Sequence, residues 1–449
     1  MERIVVLGGG ESGVGSAILA QQKGFDVFLS DNGQISPKYK SLLTKYNIPF
    51  EEGGHSHELV LNANEIIKSP GIPEIVPVMQ EIRLKEIPVI SEIEFAGRYC
   101  NAKKICITGS NGKTTTTSLI YFLLKSAGLN VGIAGNIGTS YAMQVATEQF
   151  DYYVLELSSF QLDGMYAFKA DIAVLLNITP DHLDRYDYDL QNYVNSKFRI
   201  TQNMSKEDCF IFCSDDEITM GNLKKIVLKT KMLPISQTVM LDADGGYVIE
   251  NKIIARYDNS VFEMLINDLS LNGRHNVYNS MAAAITGKIL NIQNSVIREC
   301  LTGFKGIEHR LEKVKKVSGI EFINDSKATN VNSAWYALES MTGKTIWIIG
   351  GTDKGNDYST LINLAKEKVK AIVCLGVDNK KIIETFESVV PTIIETRSAK
   401  EAVQKAFEAG ESGDTVLLSP ACASFDLFNN YEDRGTQFKQ AVEELAIKT

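Results

Sequence analysis

The stretch KICITGSNGKTT, residues 104–115, decides the fold of the central part of the chain. A short apolar segment leads into a glycine-rich turn, and a lysine followed by two threonines opens the next segment. In such a turn backbone N–H groups point at phosphate oxygens, the lysine reaches the β- and γ-phosphates, and a hydroxyl can hold Mg²⁺. The pattern predicts a nucleoside triphosphate site comprising Gly109, Ser110, Asn111, Gly112, Lys113, Thr114 and Thr115.

This loop is shorter than the usual phosphate-binding pattern, which places a glycine five positions before the glycine that precedes the lysine. Ile107 occupies that position, so the first glycine of the loop is Gly109. The alternative is an ordinary glycine turn before a threonine-rich helix. Because the strand, the turn, the lysine and the paired hydroxyls occur together, we favour binding of ATP or GTP.

Length and composition narrow the class of protein. The chain has 449 residues, which predicts about three domains of ~150 residues each. Hydrophobic residues make up 44% and charged residues 22%, as in an ordinary globular chain. A formal net charge of -9 argues against nucleic-acid binding, which requires a basic face. We therefore expect small-molecule partners.

The chain carries no signal-like leader and no apolar run long enough to span a bilayer, so we expect a cytoplasmic protein without membrane insertion. We also expect a monomer. Seven scattered cysteines indicate reduced thiols rather than a disulfide framework. Cys209 and Cys213 have no partner ligands nearby in sequence, which argues against zinc.

The first segment begins like a Rossmann fold. The strand Ile4–Leu7 runs into a Gly-x-Gly-x-x-Gly turn at 8–13, a helix is predicted from Ser16 to Lys23, and a second strand ends at Asp31. An acid at that position suits a ribose hydroxyl. Taken alone, the segment favours a nicotinamide or flavin dinucleotide, with a nucleotide-sugar diphosphate as the alternative.

The other two segments also alternate strands with helices. Tyr152–Glu156 and the segment 172–177 are near-continuous apolar runs, which predict buried parallel strands. Apolar runs at 322–324, 345–349, 371–375 and 415–418 predict another doubly wound sheet. We thus predict an α/β protein of three domains. They are a Rossmann-like domain at 1–95, a P-loop-type ATP-binding domain with a mainly parallel sheet at 96–302, and a Rossmann-like C-terminal domain at 303–449.

Several motifs together resemble the Mur ligases in order and spacing, over nearly the whole chain. Besides residues 109–115, they are ELSSFQL at 156–162, TPDHLDR at 179–185, NSKFRI at 195–200, His309-Arg310 and NDSKATN at 324–330. The run LSPACASFD at 418–426, with Tyr431 and Arg434-Gly435, resembles the members that add D-glutamate. An Asp-Asn-Pro-Arg run, typical of diaminopimelate-adding members, does not occur.

The resemblance implies an ATP-dependent ligase of peptidoglycan precursor synthesis. Its substrates would be UDP-N-acetylmuramoyl-L-alanine and D-glutamate, and its products would include ADP and phosphate. A carboxylate must be activated before an amine attacks it, so an acyl-phosphate intermediate is expected. The alternatives are a ligase that adds another amino acid or glutamylates folate and, more remotely, a nicotinamide-binding protein with a regulatory ATP site.

Four residues are expected to carry the chemistry and the metal ions: Lys113, Glu156, His182 and Lys197. Glu156 ends a buried strand and could bind Mg²⁺ beside Thr114, although it could also be a capping or ion-paired glutamate. By the resemblance, His182 binds a second Mg²⁺ and Lys197 carries a carbamate derived from CO₂. Their alternatives are a structural histidine and an ordinary surface lysine.

The resemblance also implies the remaining ligands. Further contacts to ATP would come from Asn276, Asn279, Arg310, Asp325 and Lys327. The uridine diphosphate would lie on Ser12, Gly13, Asp31, Asn32 and Gly71, and the muramoyl-alanyl part on Asn136, Ser158 and Gln161. D-glutamate would be bound by Lys327, Thr329, Lys354, Ser424, Phe425 and Tyr431. The third domain is expected to close over ATP and exclude water from the acyl phosphate.

Overall fold

A computed structural model describes residues 2–271, 273–306, 308–353 and 355–445. These residues form three sheets, each flanked by helices, in which most neighbouring strands are parallel. The predicted α/β class with three mainly parallel sheets is confirmed. The buried parallel strands are almost wholly apolar, as expected where both faces of a sheet are covered.

The first sheet has five parallel strands in the order β3-β2-β1-β4-β5. The strands are β1 (Arg3–Leu7), β2 (Asp26–Asp31), β3 (Phe50–Glu52), β4 (Glu65–Lys68) and β5 (Val89–Ile90). The helices are α1 (Glu11–Gln22), α2 (Pro37–Lys45), α3 (His57–Val60), α4 (Pro77–Leu84) and α5 (Glu92–Gly97).

Helix α1 begins at Glu11, five residues earlier than the sequence predicts. The glycine turn is therefore very tight. A Cβ atom at Gly13 would lie 1.8 Å from the carbonyl oxygen of Gly8, so only glycine permits this close approach of helix and strand end. The two glycines inside the helix lower its intrinsic propensity, which explains why a later start was predicted.

The second sheet has nine strands in the order β14-β13-β12-β11-β10-β9-β6-β8-β7. Strands β6 to β12 pair in parallel, whereas β12, β13 and β14 form an antiparallel meander that was not predicted. The strands are β6 (Lys103–Thr108), β7 (Val131–Gly135), β8 (Tyr152–Glu156), β9 (Ile172–Leu175), β10 (Cys209–Cys213), β11 (Lys231–Ser236), β12 (Gly245–Ile249), β13 (Lys252–Tyr257) and β14 (Ser260–Leu265).

The helices of this segment cover the sheet and carry much of the polar sequence. They are α6 (Lys113–Ser126), α7 (Tyr141–Thr147), α8 (Ser159–Asp163), α9 (Leu190–Phe198), α10 (Glu217–Leu223), α11 (Arg274–Ile289) and α12 (Asn294–Gly303). Short 3₁₀ turns are Leu183–Arg185, Arg199–Thr201 and Ile266–Asp268.

The third sheet has six strands in the order β15-β16-β20-β17-β18-β19, and only the edge strand β15 is antiparallel. The strands are β15 (Glu312–Val317), β16 (Ile320–Asn324), β17 (Thr345–Ile349), β18 (Val369–Leu375), β19 (Ile393–Thr396) and β20 (Thr415–Leu418). The helical segments are α13 (Val331–Glu339), the 3₁₀ turn Ser359–Leu361, α14 (Ile362–Lys368), α15 (Lys380–Phe386), α16 (Ala399–Ala409) and α17 (Tyr431–Glu443).

The chain forms two compact units. Unit 1 comprises Met1–Leu269 and Val277–Gly303, and unit 2 comprises Ser270–Asn276 and Phe304–Thr449. Within unit 1 one apolar core runs from the first sheet into the second, because α1 packs closely on α7. The predicted domain boundaries at 95 and 302 remain predictions. In the part of the chain that the structure describes, no helix is long and apolar enough to cross a membrane.

Candidate active site

The glycine-rich loop joins β6 to α6 at the carboxyl end of the second sheet. The Lys113 ammonium donates to the carbonyl oxygens of Gly109 and Ser110, at 2.8 and 2.9 Å. The N–H of Asn111 donates to the side-chain oxygen of Asn177 at 2.9 Å. The loop is thereby fixed with a cation beside it and a helix N-terminus behind it, which is the arrangement that binds phosphate.

Two glycines let this loop approach its neighbours. Gly109 has φ 148° and Gly112 has φ 84°, conformations that side chains other than glycine rarely adopt. A Cβ atom at Gly112 would lie 2.7 Å from the side-chain oxygen of Asn279, which also accepts from the Thr116 hydroxyl at 3.0 Å. Asn279 thus lies directly against the phosphate loop.

Glu156 ends β8 and is 1% exposed. One carboxylate oxygen accepts from the Asn136 amide at 2.8 Å, whereas the other is buried and has no hydrogen-bond partner among the described residues. The Thr115 hydroxyl is likewise buried with no partner in the described part of the chain, and the side chain of the preceding Thr114 is buried as well. A buried carboxylate oxygen without a partner is costly, and a hard cation such as Mg²⁺ would satisfy it.

Lys197 lies on α9 and is 2% exposed, so it is not a surface lysine. Its ammonium donates to the Thr108 hydroxyl at 3.3 Å, lies 5.1 Å from the centre of the Tyr193 ring, and forms no ion pair with a described residue. Burial, reinforced by the charge of Lys113, holds the pKa of Lys197 well below its ordinary value.

His182 stands at a turn with φ 54°, and its side chain is 43% exposed. The ring packs edge-on against Phe160, with 5.1 Å between ring centres, and Nε2 lies 3.7 Å from a carboxylate oxygen of Asp181. Among the described residues no group of three or more His, Cys, Asp or Glu side chains could hold a metal ion by itself. A metal here would depend on hydroxyl and phosphate oxygens as well.

The predicted muramoyl-alanyl residues have structural partners of their own. Ser158 and Gln161 form a capping box at the start of α8, in which each side chain bonds the other residue's backbone N–H. Gln161 is buried and its side-chain oxygen also accepts from the Ser158 hydroxyl. The Asn136 amide orients Glu156, as described above. Their contacts to a substrate remain predictions.

The predicted uridine diphosphate residues surround the first glycine turn. The Asp31 carboxylate accepts from the N–H of Gly9 and, at 2.7 Å, from that of Gly33, so it fixes this turn in addition to any ligand role. Gly13 is buried and Ser12 half-buried at the start of α1, whereas Asn32 and Gly71 are exposed. The structure brings all five residues to the carboxyl end of the first sheet.

In unit 2, Asp325 lies at the end of β16 and is buried. Its carboxylate accepts from the Ser419 hydroxyl at 2.9 Å and from the N–H of Leu311 at 3.2 Å. Burial raises the pKa of Asp325 to about 7, against the opposing effect of the nearby Arg310 charge. The Lys327 ammonium lies 5.2 Å from the centre of the Tyr431 ring.

The remaining predicted amino-acid ligands differ in exposure. Ser424 is buried, Thr329 is exposed, and the Phe425 side chain is 68% exposed. Lys354 lies outside the described residues. Asn276 belongs to unit 2, whereas Asn279 belongs to unit 1. Both asparagines lie on helix α11, and the roles of all these residues remain predictions.

Two further residues, Tyr193 in unit 1 and Arg434 in unit 2, were not given a role from the sequence. The Tyr193 hydroxyl lies 3.1 Å from that of Ser110, and its ring faces Lys197. Arg434, which is 1% exposed, donates to the carbonyls of Ser326 and Cys422 and to the Ser326 hydroxyl at 2.9–3.2 Å. Tyr193 could have been found from its position one helical turn before Lys197; an arginine on a helix gives no such signal.

Family comparisons agree with this geometry. Residues 3–76 match the MurD N-terminal domain, residues 107–287 match the Mur ligase middle domain, and residues 309–422 match the Mur ligase glutamate ligase domain. The phosphate loop, Glu156, His182 and Lys197 all fall within the middle match.

Similar proteins cover the whole chain. A protein of Bacteroides fragilis named UDP-N-acetylmuramoylalanine–D-glutamate ligase is 56% identical over 99% of this chain and 100% of its own. One of the same name from Cytophaga hutchinsonii is 51% identical over 99% of both. The crystal structure of UDP-N-acetylmuramate-alanine ligase from Thermotoga maritima superposes with a TM-score of 0.63, at 18% identity over 99% of both chains, which shows the shared fold. The chain therefore belongs to the Mur ligase family, in the branch whose members are named UDP-N-acetylmuramoylalanine–D-glutamate ligase.

Proposed function

We propose that this protein is an ATP-dependent ligase that joins D-glutamate to UDP-N-acetylmuramoyl-L-alanine in peptidoglycan precursor synthesis. The family membership supports the reaction. The observation that carries the assignment to this site is the partnerless, buried carboxylate oxygen of Glu156 beside the phosphate loop. The cytoplasmic location and the monomeric state remain predictions from the sequence.

The expected reaction has two steps. The γ-phosphoryl group of ATP is transferred to the alanyl carboxylate, giving an acyl phosphate and ADP. The amine of D-glutamate then attacks the acyl carbon, so that a C–N bond forms, the C–O bond to phosphate breaks, and the amine loses a proton. Positioning and charge neutralisation supply most of the catalysis in phosphoryl transfer.

The residues of this chain fit Mg²⁺ and ATP. Thr114 and Glu156 would hold the metal ion, with Asn136 fixing the carboxylate, and Mg²⁺ when bound neutralises charge on the phosphates. Lys113, whose ammonium lies on the carbonyls of Gly109 and Ser110, would neutralise charge on the phosphates, and the loop N–H groups would donate to phosphate oxygens. We assign His182 to a second metal ion; its exposed position leaves it accessible for this role.

We also propose that Lys197 is carbamylated. Its neutral amine would attack the carbon of CO₂, forming an N–C bond and releasing one proton. The product is an anionic oxygen ligand where an ammonium would otherwise repel Mg²⁺ and Lys113. The burial of Lys197, the lack of an ion pair between its ammonium and any described residue, and its lowered pKa support this modification. Lys197→Ala should lose activity and regain part of it with short carboxylic acids; unchanged activity of the variant would contradict the proposal.

Phosphate release tests the proposed function. The protein is incubated with UDP-N-acetylmuramoyl-L-alanine, ATP and Mg²⁺, together with D-glutamate, L-glutamate, L-lysine or no amino acid. We expect release with D-glutamate alone. Release with another amino acid would keep the ligase and discard the D-glutamate assignment, and no release with any of them would contradict the function.

A further inference from the structure

Arg185 ends the 3₁₀ turn that follows His182, and it joins two parts of unit 1. Its guanidinium carbon lies 4.5 Å from the centre of the Phe160 ring. One of its terminal nitrogens donates to the carbonyl oxygen of Ile72 at 3.4 Å. Arg185, itself part of the turn that carries His182, therefore connects helix α8, through Phe160, with the loop that follows β4 of the first sheet.

Phe160 is the first member of a row of aromatic rings that leads to the phosphate loop. Its ring packs edge-on against His182 and is parallel to Tyr186, with 6.1 Å between centres and a 9° angle. Tyr186 packs on Tyr193 at 5.4 Å, and the Tyr193 hydroxyl lies 3.1 Å from that of Ser110. A shift of Phe160 would therefore affect His182 directly.

The loop on the other side of Arg185 covers the first glycine turn. A Cβ atom at Gly8 would lie 2.4 Å from the Ser69 hydroxyl and 3.7 Å from the Ile72 side chain. The Ile72 carbonyl oxygen accepts from the Lys68 ammonium at 3.0 Å as well as from Arg185. Lys68 is in turn paired with Glu74 at 2.7 Å. Two cations thus fix the peptide next to Gly71, a predicted uridine diphosphate contact.

We propose that Arg185 is a positioning residue for the UDP-linked substrate. It holds the His182 turn and the Ser69–Ile72 loop in one geometry, so that a substrate bound by its diphosphate end presents its carboxylate at the phosphate loop. A long substrate needs its two binding regions held at a fixed separation, because a displacement of about 1 Å at the reacting atoms can cost on the order of 10²-fold in rate. The inference rests on the proposed function and adds a residue to it.

A planar guanidinium suits this role, since it can stack on a ring while donating in its own plane, whereas a lysine ammonium cannot do both. Arg185 also lines an open cleft of about 340 Å³, together with Asp163, Tyr186, Asp187, Asn192 and Arg199. A small cation from solvent can therefore reach the position of the guanidinium.

The test measures binding of UDP-N-acetylmuramoyl-L-alanine by titration calorimetry without ATP, and steady-state kinetics for each substrate. Arg185→Ala should weaken binding of the UDP substrate by at least about tenfold and lower kcat, while KM for ATP stays within about twofold. Added guanidinium ion at non-denaturing concentration should restore part of the loss. Arg185→Lys should restore less than guanidinium does, because stacking is lost.

Arg298→Ala is the matched control. Arg298 lies over the Phe262 ring at 5.5 Å and donates to the Glu263 carbonyl at 2.7 Å, the same pair of contacts at strand β14. We expect it to bind and turn over substrates like the wild type. Phe160→Leu should also weaken binding of the UDP substrate. The double variant Arg185→Ala/Phe160→Leu should lose less binding free energy than the sum of the two single variants, because the two side chains act through the same contact.

Wild-type affinity and kcat in Arg185→Ala would overturn the inference, as would an equal loss of affinity for ATP and for the UDP substrate, which indicates a general structural role. If the wild-type protein is active and Arg185→Ala gives either of these two results, the proposed function still holds and only this inference fails. If the wild-type protein releases no phosphate from ATP with UDP-N-acetylmuramoyl-L-alanine and D-glutamate, both the proposed function and this inference are wrong.

Discussion

The phosphate-loop region of unit 1 and the Arg434 cluster of unit 2 (Ser326, Gly350, Cys422 and Arg434) both lie at the carboxyl ends of parallel strands. In the first, among the residues that the structure describes, one Glu156 oxygen and the Thr115 hydroxyl are buried without hydrogen-bond partners and Lys197 has no ion pair. In the second, one buried guanidinium makes hydrogen bonds to all three of the other members. Polar groups left unsatisfied indicate a ligand site, whereas satisfied groups indicate a scaffold.

The largest expected effect is that of Glu156→Gln, which tests whether the buried polar groups without partners form a ligand site. Removing the charge should lower turnover by about 10²–10³-fold, as expected for loss of one charged group that acts on the reacting phosphates. Because the partnerless carboxylate is costly in the folded state, the melting temperature should stay the same or rise. Parallel turnover and thermal melts check both effects. A variant that is active, or one that is inactive and destabilised, would contradict the ligand-site interpretation.

Arg434→Met tests whether the hydrogen-bonded Arg434 cluster of unit 2 stabilises the fold. Removing the guanidinium leaves the buried carbonyls of Ser326 and Cys422 without donors, so the free energy of unfolding of unit 2 should fall by about 3–5 kcal/mol. Urea unfolding at pH 7 measures this loss. A change below about 1 kcal/mol would mean that Arg434 is not part of the scaffold.

Asp325 should make the stability of unit 2 depend on pH. Burial raises its pKa from 3.8 to about 7, so between these values the folded state binds the proton more tightly than the unfolded state. Its contribution to stability is therefore complete below pH 3.8 and is lost as the pH rises to about 7. Relative to Asp325→Asn, the wild type should lose up to about 4 kcal/mol across this range. Thermal melts at several pH values, without nucleotide, check this; a constant difference would contradict it.

Gly112→Ala should destabilise the protein less than Arg434→Met does, and its effect on activity should be specific to ATP. At φ 84° an alanine costs about 1–2 kcal/mol, and its Cβ would displace Asn279 from the phosphate loop. We expect a raised KM for ATP of about tenfold or more. Gly128→Ala is the control, because Gly128 has φ 75° but faces open space. Equal KM values for the two variants would show that the contact with Asn279 is unimportant.

Much of the fold could be predicted from local patterns. The strands Tyr152–Glu156, Thr345–Ile349 and Thr415–Leu418 begin and end where their apolar runs do, because both faces of each sheet are covered. The early start of α1 and the antiparallel meander were missed, since glycines obscured the first and short, half-buried strands the second.

The candidate site was predicted less completely, for a different reason. The glycines, Lys113 and Glu156 occur in local patterns with a known physical purpose. Other contacts join residues that are distant in sequence, or involve a side chain that no local pattern marks. They are those of Asn279 with Gly112, of Arg185 with Ile72 and of Arg434 with Cys422. Only the fold brings such groups together.

The core that runs from the first sheet into the second has a further consequence. Helices α1 and α7 both contribute to this core. The first segment, which is expected to hold the nucleotide sugar, therefore cannot be exchanged between relatives unless the core residues of the central segment are changed with it. A chimera joined between α5 and β6 would leave apolar faces mismatched on both sides. We therefore expect changes in substrate range to be tolerated best in loops, which can change without disturbing this shared core.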